Sequence, residues 1–306
     1  MTRSIILFIV IGLFVLAAIG AAFYFYLPES DQAGQEIKIS ATIFPLYDIA
    51  QNIGGEKINV KLIAPPGASP HTFEVTAEQV KKMQNTKIIF AIGHGLDEWT
   101  AQITSSIPGA QTFTVSKNID LHESNHESHE EEHGHHHGDV NPHYWLNINN
   151  AKIISKNILD ELTRLDPQNT EYFQNNYNEY LQALEQADQE INNILGSISS
   201  KKMITMHDAW PYFAEEYGLE VVATFEPFPG REPTPQYLAE LSQTAEENNI
   251  KTIFSEPQLS NQALIPFLRD LNMELAILDP IGGLEERDSY INMMKYNASI
   301  IHEALK

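Results

Sequence analysis

The chain alternates short runs of aliphatic and β-branched residues with longer stretches in which apolar residues recur every three or four positions. The short runs predict buried β-strands, and the longer stretches predict amphipathic helices. The predicted strands form two series, 37–42, 58–63, 87–92 and 112–115, then 203–206, 220–223, 252–254 and 275–278. Because strands that alternate with helices are typical of parallel sheets, we predict an α/β fold with two Rossmann-like domains, residues 37–165 and 197–306.

Residues 166–196, between the two series, predict one long linking helix. Asp166 is the expected N-cap, Pro167 the first helical residue and Gly196 the end of the helix. Apolar residues between them recur every three or four positions, and the helix would be about 43 Å long. We therefore expect a rigid connection with little hinge closure. The alternative is that this helix belongs to the outer layer of one domain.

The N-terminal 27 residues contain an uncharged apolar run of 23 residues. As a helix this run would measure about 34 Å, which is enough to cross a hydrocarbon core of about 30 Å. Arg3 precedes the run and Glu29 and Asp31 follow it, so the charge asymmetry puts the remaining chain outside the cytoplasm. We predict a membrane anchor over 1–27, with a cleaved signal segment as the alternative, and a linker over 28–36. The protein would then be extracytoplasmic, in the periplasm or tethered at the outer face of the cell membrane.

A formal net charge of −22 and the absence of cysteine narrow the possible functions. A chain this acidic would be repelled by the phosphate backbone, so we expect no nucleic-acid partner. The absence of cysteine excludes thiolate metal ligands, disulfides and a catalytic thiol. The composition fits a soluble protein that attracts cations, and we expect it to act as a monomer.

Residues 120–139 differ sharply in composition from the rest of the chain. They include seven histidines and seven acidic residues but no lysine or arginine. Since imidazole and carboxylate suit Zn²⁺, Ni²⁺ and Cu²⁺, we predict an accessory metal-binding loop; a solvated insertion that binds metal only incidentally is the alternative. Its histidines are His122, His126, His129, His133, His135, His136 and His137.

Four side chains outside this loop come shortly after predicted strands. His207 and Asp279 follow their strands directly, Glu256 follows after one residue, and His71 follows after a loop of seven residues. Ligands of α/β sheets bind beyond the carboxyl ends of the strands, so these side chains are candidates for a shared site. Imidazole and carboxylate together are a ligand set that zinc accepts. Any one of them alone could equally be a capping or hydrogen-bonding group.

Seven short stretches continue this pattern in order along the chain. They are 64–74 (APPGASPHTFE), 93–99 (GHGLDEW), 141–146 (NPHYWL), 207–213 (HDAWPYF), 230–235 (GREPTP), 256–258 (EPQ) and 278–280 (LDP). Together they resemble the metal-binding subunits of bacterial zinc and manganese ABC importers, the cluster A-I solute-binding proteins. The resemblance covers roughly residues 36–306.

The resemblance implies two α/β domains joined by one rigid helix, with a metal ion in the cleft between them. His71 and His143 would come from the first domain, and His207 and Asp279 from the second, with Glu256 as a competitor for the fourth position. Zinc members of the family carry histidine at the third ligand position and a His-rich acidic loop before the second, and this chain has both features. The implied function is capture of Zn²⁺ and its delivery to an ABC-type membrane permease, without enzymatic chemistry.

Three other functions stay open from the sequence. The chain could bind Mn²⁺ within the same family, or it could be a surface adhesin that uses the same fold. A metalloenzyme would use Glu256 as a general base towards zinc-bound water. An enzyme of that kind should keep an open coordination position and a substrate pocket. The His-Glu-x-x-His strings of the chain, 122–126 and 129–133, fall in the His-rich acidic loop and not on a predicted helix, which disfavours that reading.

Five residues in the matched stretches are given supporting roles. Trp99, Trp145 and Trp210 are predicted to pack and stiffen the loops that carry ligands. His94 lies in a matched loop but not at a ligand position, so we expect a structural role. Asn141, like Asn147 just after its stretch, stands where the family often has aspartate, which puts the supporting hydrogen bond to the neighbouring His143 in doubt but removes no ligand.

Overall fold

A computed structural model of the protein describes residues 36–123, 140–226 and 233–306. Residues 37–306 form one compact unit. The predicted anchor and most of the predicted linker lie outside the described residues, as do His126, His129, His133, His135, His136 and His137. Within the described ranges, no helix has the length and apolar character needed to cross a membrane.

The first four strands form one parallel sheet with the order β2-β1-β3-β4. The strands are β1 (Ile37–Ala41), β2 (Ile58–Leu62), β3 (Ile88–Ala91) and β4 (Gln111–Thr114). The helices are α1 (Phe44–Gly54), α2 (Ala77–Lys82), α3 (Thr100–Ser106) and α4 (Ile148–Leu165). All four residues of β3 are buried, because helices cover both faces of a parallel sheet. We call β1–β4 with α1–α4 the N-terminal lobe.

The long helix α5 covers Thr170–Leu195 and follows a 3-10 turn at Pro167–Asn169. It ends before Gly196, as predicted, but its α-helical part begins four residues after Asp166. Asp166 adopts a non-helical conformation and its carboxylate accepts a hydrogen bond from the Asn169 side chain, so the expected cap supports the 3-10 turn instead. The α-helix is therefore about 39 Å long.

The last four strands form a second parallel sheet with the order β6-β5-β7-β8, which repeats the connectivity of the first. The strands are β5 (Lys202–Thr205), β6 (Glu220–Thr224), β7 (Thr252–Ser255) and β8 (Glu274–Ile277). The helices are α6 (Pro211–Tyr217), α7 (Pro235–Glu247), α8 (Leu264–Leu271) and α9 (Tyr290–Leu305). We call β5–β8 with α6–α9 the C-terminal lobe. All eight predicted strands are confirmed, with ends that differ by at most one residue.

One hydrophobic core runs through both lobes. Helix α5 packs against α1 and α4 of the N-terminal lobe and against α9 of the C-terminal lobe, so it is shared between them. Trp145 donates a hydrogen bond of 2.7 Å from Nε1 to the carbonyl of Pro280, and the Tyr290 hydroxyl donates one of 2.8 Å to the carbonyl of Trp145. These buried contacts cross from one lobe to the other, which supports a rigid connection. The domain boundaries predicted at 165 and 197 stay a prediction.

Asp48 on α1 makes another contact between the lobes, and this contact predicts a pH dependence of stability. Its Oδ2 accepts a hydrogen bond of 3.0 Å from the N–H of Tyr290, the first residue of α9. Burial raises the pKa of Asp48 from 3.8 to about 6. Because the folded-state pKa is the higher one, this residue's contribution to stability is full below pH 3.8 and is lost as the pH rises through about 6.

We therefore expect Asp48→Asn to raise the free energy of unfolding at pH 7 by about 2 kcal/mol, because the amide oxygen can still accept the hydrogen bond but carries no charge. Urea unfolding between pH 4 and 7 measures the effect. Asp160→Asn is the control, since Asp160 is an exposed partner of Lys156. The prediction fails if Asp48→Asn and the wild type show the same change in stability between pH 4 and 7.

Candidate metal centre

Three imidazoles from the two lobes meet at one point. His71 Nε2 lies 3.0 Å from His143 Nε2, which in turn lies 3.3 Å from His207 Nε2. Among the described residues, these three are the group whose ligand atoms all fall within 4.8 Å of one another. Nitrogens bound at 2.0–2.1 Å to a tetrahedral zinc ion would be separated by about 3.3 Å. The spacing therefore suits three ligands around a single ion.

His71 is carried by the loop that follows β2. The indole of Trp99 donates a hydrogen bond of 3.2 Å to the carbonyl of Pro70, directly before the histidine. Trp99 also packs edge-on against Phe73, with ring centroids 4.8 Å apart. The loop is thus tied to the residue that precedes α3, as predicted for a tryptophan that stiffens a ligand loop.

His143 is held by the side chain of Asn141. Asn141 Oδ1 accepts hydrogen bonds from the backbone N–H of His143 at 3.0 Å and from its Nδ1 at 2.9 Å. The doubt about this residue is therefore removed, since the amide oxygen makes the supporting bond. Burial, followed by the nearby imidazoles of His207 and His71, holds the pKa of His143 well below its usual value, which favours the neutral form that ligates metals.

His207 follows β5 and faces the carboxylate of Glu256. Its Nδ1 lies 2.9 Å from Glu256 Oε1, and the indole of Trp210 donates a hydrogen bond of 3.0 Å to the same oxygen. Burial by itself lowers the pKa of His207, but the charge and hydrogen bond of Glu256, helped by Asp208 and Glu226, outweigh it and raise the pKa. Glu256 thus orients His207.

The partner of Nδ1 in each histidine influences whether Nε2 of the same ring carries a proton or a lone pair. His143 Nδ1 donates to an amide oxygen, and His207 Nδ1 contacts a carboxylate oxygen. The amide oxygen places the proton of His143 on Nδ1 and leaves a lone pair on its Nε2, and the carboxylate beside His207 Nδ1 favours the same arrangement in the neutral form of His207. Two lone pairs 3.3 Å apart repel one another unless a cation lies between them. A proton can occupy that position, and so can a divalent metal ion.

Asp279 lies next to this cluster but outside the group of three histidines. It is fully buried, and its Oδ1 accepts hydrogen bonds from the N–H groups of Ile281 and Gly282, each at 3.0 Å, and from Gln258 Nε2 at 2.9 Å. Its Oδ2 lies 3.4 Å from a guanidinium nitrogen of Arg287. The choice between Asp279 and Glu256 as fourth ligand stays a prediction.

The space beside the imidazoles is small. The cavity has a volume of about 10 Å³, about one water-sized sphere. It is lined by residues of both lobes, including the three histidines, Trp145 and Ile281. A space of this size accommodates a single ion or water molecule.

Two further histidines have contacts of their own. His94 has a positive φ of 55°, and its Nε2 lies 2.9 Å from the hydroxyl oxygen of Ser116. His122, at the start of the predicted His-rich loop, stacks on Tyr212 at a centroid distance of 3.9 Å and contacts Glu215 at 2.7 Å. Neither belongs to the group of three histidines within 4.8 Å. The attachment of His122 to the C-terminal lobe had no signal in the sequence.

A three-histidine cluster between two parallel sheets, with His143 and His207 buried, is the arrangement expected of a metal-binding protein of the two-lobed solute-binding class. The family model described as ZnuA, zinc-uptake complex component A, periplasmic, matches residues 39–304, and the chain belongs to this family. The resemblance to metal-binding subunits of ABC importers is thereby confirmed.

Relatives named for different metals match most of the chain. The high-affinity zinc uptake system protein ZnuA of Bacillus subtilis is 30% identical over 287 residues, covering 90% of each chain. The manganese ABC transporter substrate-binding lipoprotein PsaA of Streptococcus mitis is 29% identical over 286 residues, covering 89% of this chain and 90% of the relative. A crystal structure of ZnuA superimposes with a TM-score of 0.79 at 27% identity and covers 89% of this chain and 100% of that one. The two-sheet α/β fold is confirmed by this match.

Proposed function

We propose that this protein captures Zn²⁺ outside the cytoplasm and delivers it to an ABC-type permease in the membrane. The observation that carries the proposal is the convergence of His71, His143 and His207, whose ligand nitrogens all lie within 4.8 Å of one another. Its family membership and the metal-transport names of its relatives agree with this function. The ion is cargo, so binding and release are the whole task.

The proposed ligands are His71, His143, His207 and Asp279, with Glu256 as the alternative fourth ligand. We favour Asp279 because Glu256 already contacts His207 and the Trp210 indole, an arrangement typical of a carboxylate that orients a ligating histidine. Three imidazoles with one carboxylate favour Zn²⁺, whereas additional carboxylates would favour Mn²⁺. Manganese stays the second candidate because a relative of similar identity is named for it.

Delivery would combine electrostatic attraction with a rigid receptor. The net charge of −22 raises the local concentration of cations, and the histidines of residues 120–139 would bind zinc weakly before it reaches the cleft. The shared core and the bonds between the lobes favour a preformed site. The apolar segment within residues 1–27 would hold the protein at the outer face of the membrane, or would be removed as a signal.

Calorimetric titration with Zn²⁺ and Mn²⁺ tests the proposal. A matched variant starts at residue 36 and has residues 124–139 replaced by a Gly-Ser linker. A short linker can join the two ends, because Glu123 and Val140 are neighbours in an antiparallel bridge. We expect one tight zinc site in both proteins, with additional weak sites only in the full chain. Absence of a tight site from the variant would mean that the His-rich loop holds the metal and that the cleft assignment is wrong.

The transport role can be tested separately from metal binding. Deletion of the gene should lower zinc accumulation in cells grown at limiting zinc, and the wild-type gene should restore it. Unchanged zinc accumulation with intact binding in vitro would argue for an adhesin that uses the same fold and holds metal structurally.

A further inference from the structure

The side-chain amide of Asn141 has hydrogen-bond partners in both lobes. Its Oδ1 accepts from the backbone N–H and the Nδ1 of His143, in the N-terminal lobe's ligand turn. Its Nδ2 donates to the backbone carbonyl of Asp208 at 2.7 Å and to the Asp208 carboxylate at 3.1 Å. Asn141 is 4% exposed, and Asp208 directly follows the candidate ligand His207. One amide therefore contacts the turns that carry two of the three histidines.

We propose that Asn141 is a positioning residue that sets the distance between His143 and His207, and that only a neutral amide can do this beside Asp208. The inference rests on the proposed zinc-binding function of the cleft. The oxygen of the amide selects the proton position on His143, and the nitrogen of the amide holds the turn of His207 against it. Both the oxygen and the nitrogen of the amide are needed to set the distance between His143 and His207.

The oxygen of the Asn141 amide acts as a hydrogen-bond acceptor, whereas its nitrogen acts as a donor. A carboxylate at position 141 would still accept the proton of His143 Nδ1, and it would make that imidazole a stronger metal ligand. The same carboxylate would have no proton to offer to the two oxygens of Asp208. Three acceptor oxygens would then meet at a partly buried position with no donor from residue 141, and the turns would have to separate.

The backbone of Asn141 is also hydrogen-bonded to the C-terminal lobe. The hydroxyl of Tyr212, on α6 of the C-terminal lobe, donates a hydrogen bond of 2.8 Å to the carbonyl of Asn141. The same hydroxyl accepts one of 2.9 Å from the N–H of His122. Both the side chain and the backbone of Asn141 are thus bonded to the C-terminal lobe, which makes this residue a junction rather than a local turn residue.

A double-mutant cycle on the full-length protein tests the proposal, with zinc affinity measured by competition against a chelator. Asn141→Asp should weaken zinc binding by about tenfold, since changes to groups that orient metal ligands cost about 10- to 100-fold. Asp208→Asn should change the affinity by less than about threefold, because its amide oxygen can still accept from Asn141. The double variant should recover most of the loss, since the new amide at 208 can donate to the new carboxylate at 141.

Asn157→Asp is the matched control for loss of a buried amide donor. Asn157 is 5% exposed and donates to the carbonyls of Val115 and Lys117, all within the N-terminal lobe. It should leave zinc affinity unchanged while lowering stability. Should Asn141→Asp not fold, slow exchange of the Asn141 side-chain NH₂ protons in the wild type, measured by NMR, supports the bridge, and rapid exchange contradicts it.

Equal or tighter zinc binding by Asn141→Asp would overturn the inference, because a role towards His143 alone predicts that outcome. Additive losses in the double variant would overturn it as well, since they would show no coupling between Asn141 and Asp208. A wild-type protein without a tight zinc site would instead refute the proposed function itself.

Discussion

Replacement of His143 by alanine should lower zinc affinity by about a thousandfold. Its Nε2 is the nitrogen that lies within 3.3 Å of both other imidazoles, so its removal leaves a gap in the middle of the ligand set. A zinc site of about 10–16 kcal/mol shared among four ligands loses about 3–4 kcal/mol with one of them. That free energy corresponds to about a thousandfold in the dissociation constant. Competition titration with a strong chelator measures it.

His94→Ala is the control for this experiment. His94 lies in a matched loop and contacts Ser116, but it is outside the group of three histidines. Its replacement should leave zinc affinity within about threefold of the wild type, because this partly buried imidazole contacts Ser116 and Tyr144 and not the three histidines. A loss of less than tenfold in His143→Ala would show that the three-histidine cluster is not the tight site.

Replacement of His207 by glutamate should weaken zinc binding by about a hundredfold and relax the selectivity for Zn²⁺ over Mn²⁺. The new carboxylate would be harder than imidazole and would favour manganese relative to zinc. It would also face Glu256, whose Oε1 lies 2.9 Å from the present His207 Nδ1, and two carboxylates at that distance repel. Parallel calorimetric titrations with both metals measure the change.

A second substitution separates these two effects. Glu256→Gln in the His207→Glu background removes the repulsion, so Mn²⁺ binding should increase while zinc binding stays weaker than in the wild type. Glu256→Gln alone should cost about tenfold in zinc affinity, because the amide oriented towards His207 is a weaker acceptor than a carboxylate. Unchanged zinc affinity in His207→Glu would refute the assignment of His207 as a ligand.

The local pattern of the sequence was enough to predict most of the secondary structure. All eight strands were predicted because each is a short run with apolar or β-branched residues. The inner strands β3 and β7 are buried throughout, whereas the edge strands β4 and β8 are more exposed. The end of helix α5 at Gly196 also followed from local signals, whereas its start did not. Asp166 is a good N-cap by type, but its carboxylate contacts Asn169 and supports a 3-10 turn. The N-cap preference of aspartate therefore located the start of the helix to within a few residues, but it did not identify the first helical residue.

The sequence by itself determined the kind of chemistry at this centre, whereas the tertiary structure decided its geometry. Histidines after strands and the absence of cysteine limited the candidates to a nitrogen and oxygen site. The convergence of His71, His143 and His207, the pairing of His207 with Glu256 and the amide bridge from Asn141 to Asp208 appear only in the folded chain. These contacts join residues 49 to 136 positions apart, counted from the residue numbers. Local propensity carries no information on such pairs, because the packing of the two lobes on a shared core brings them together.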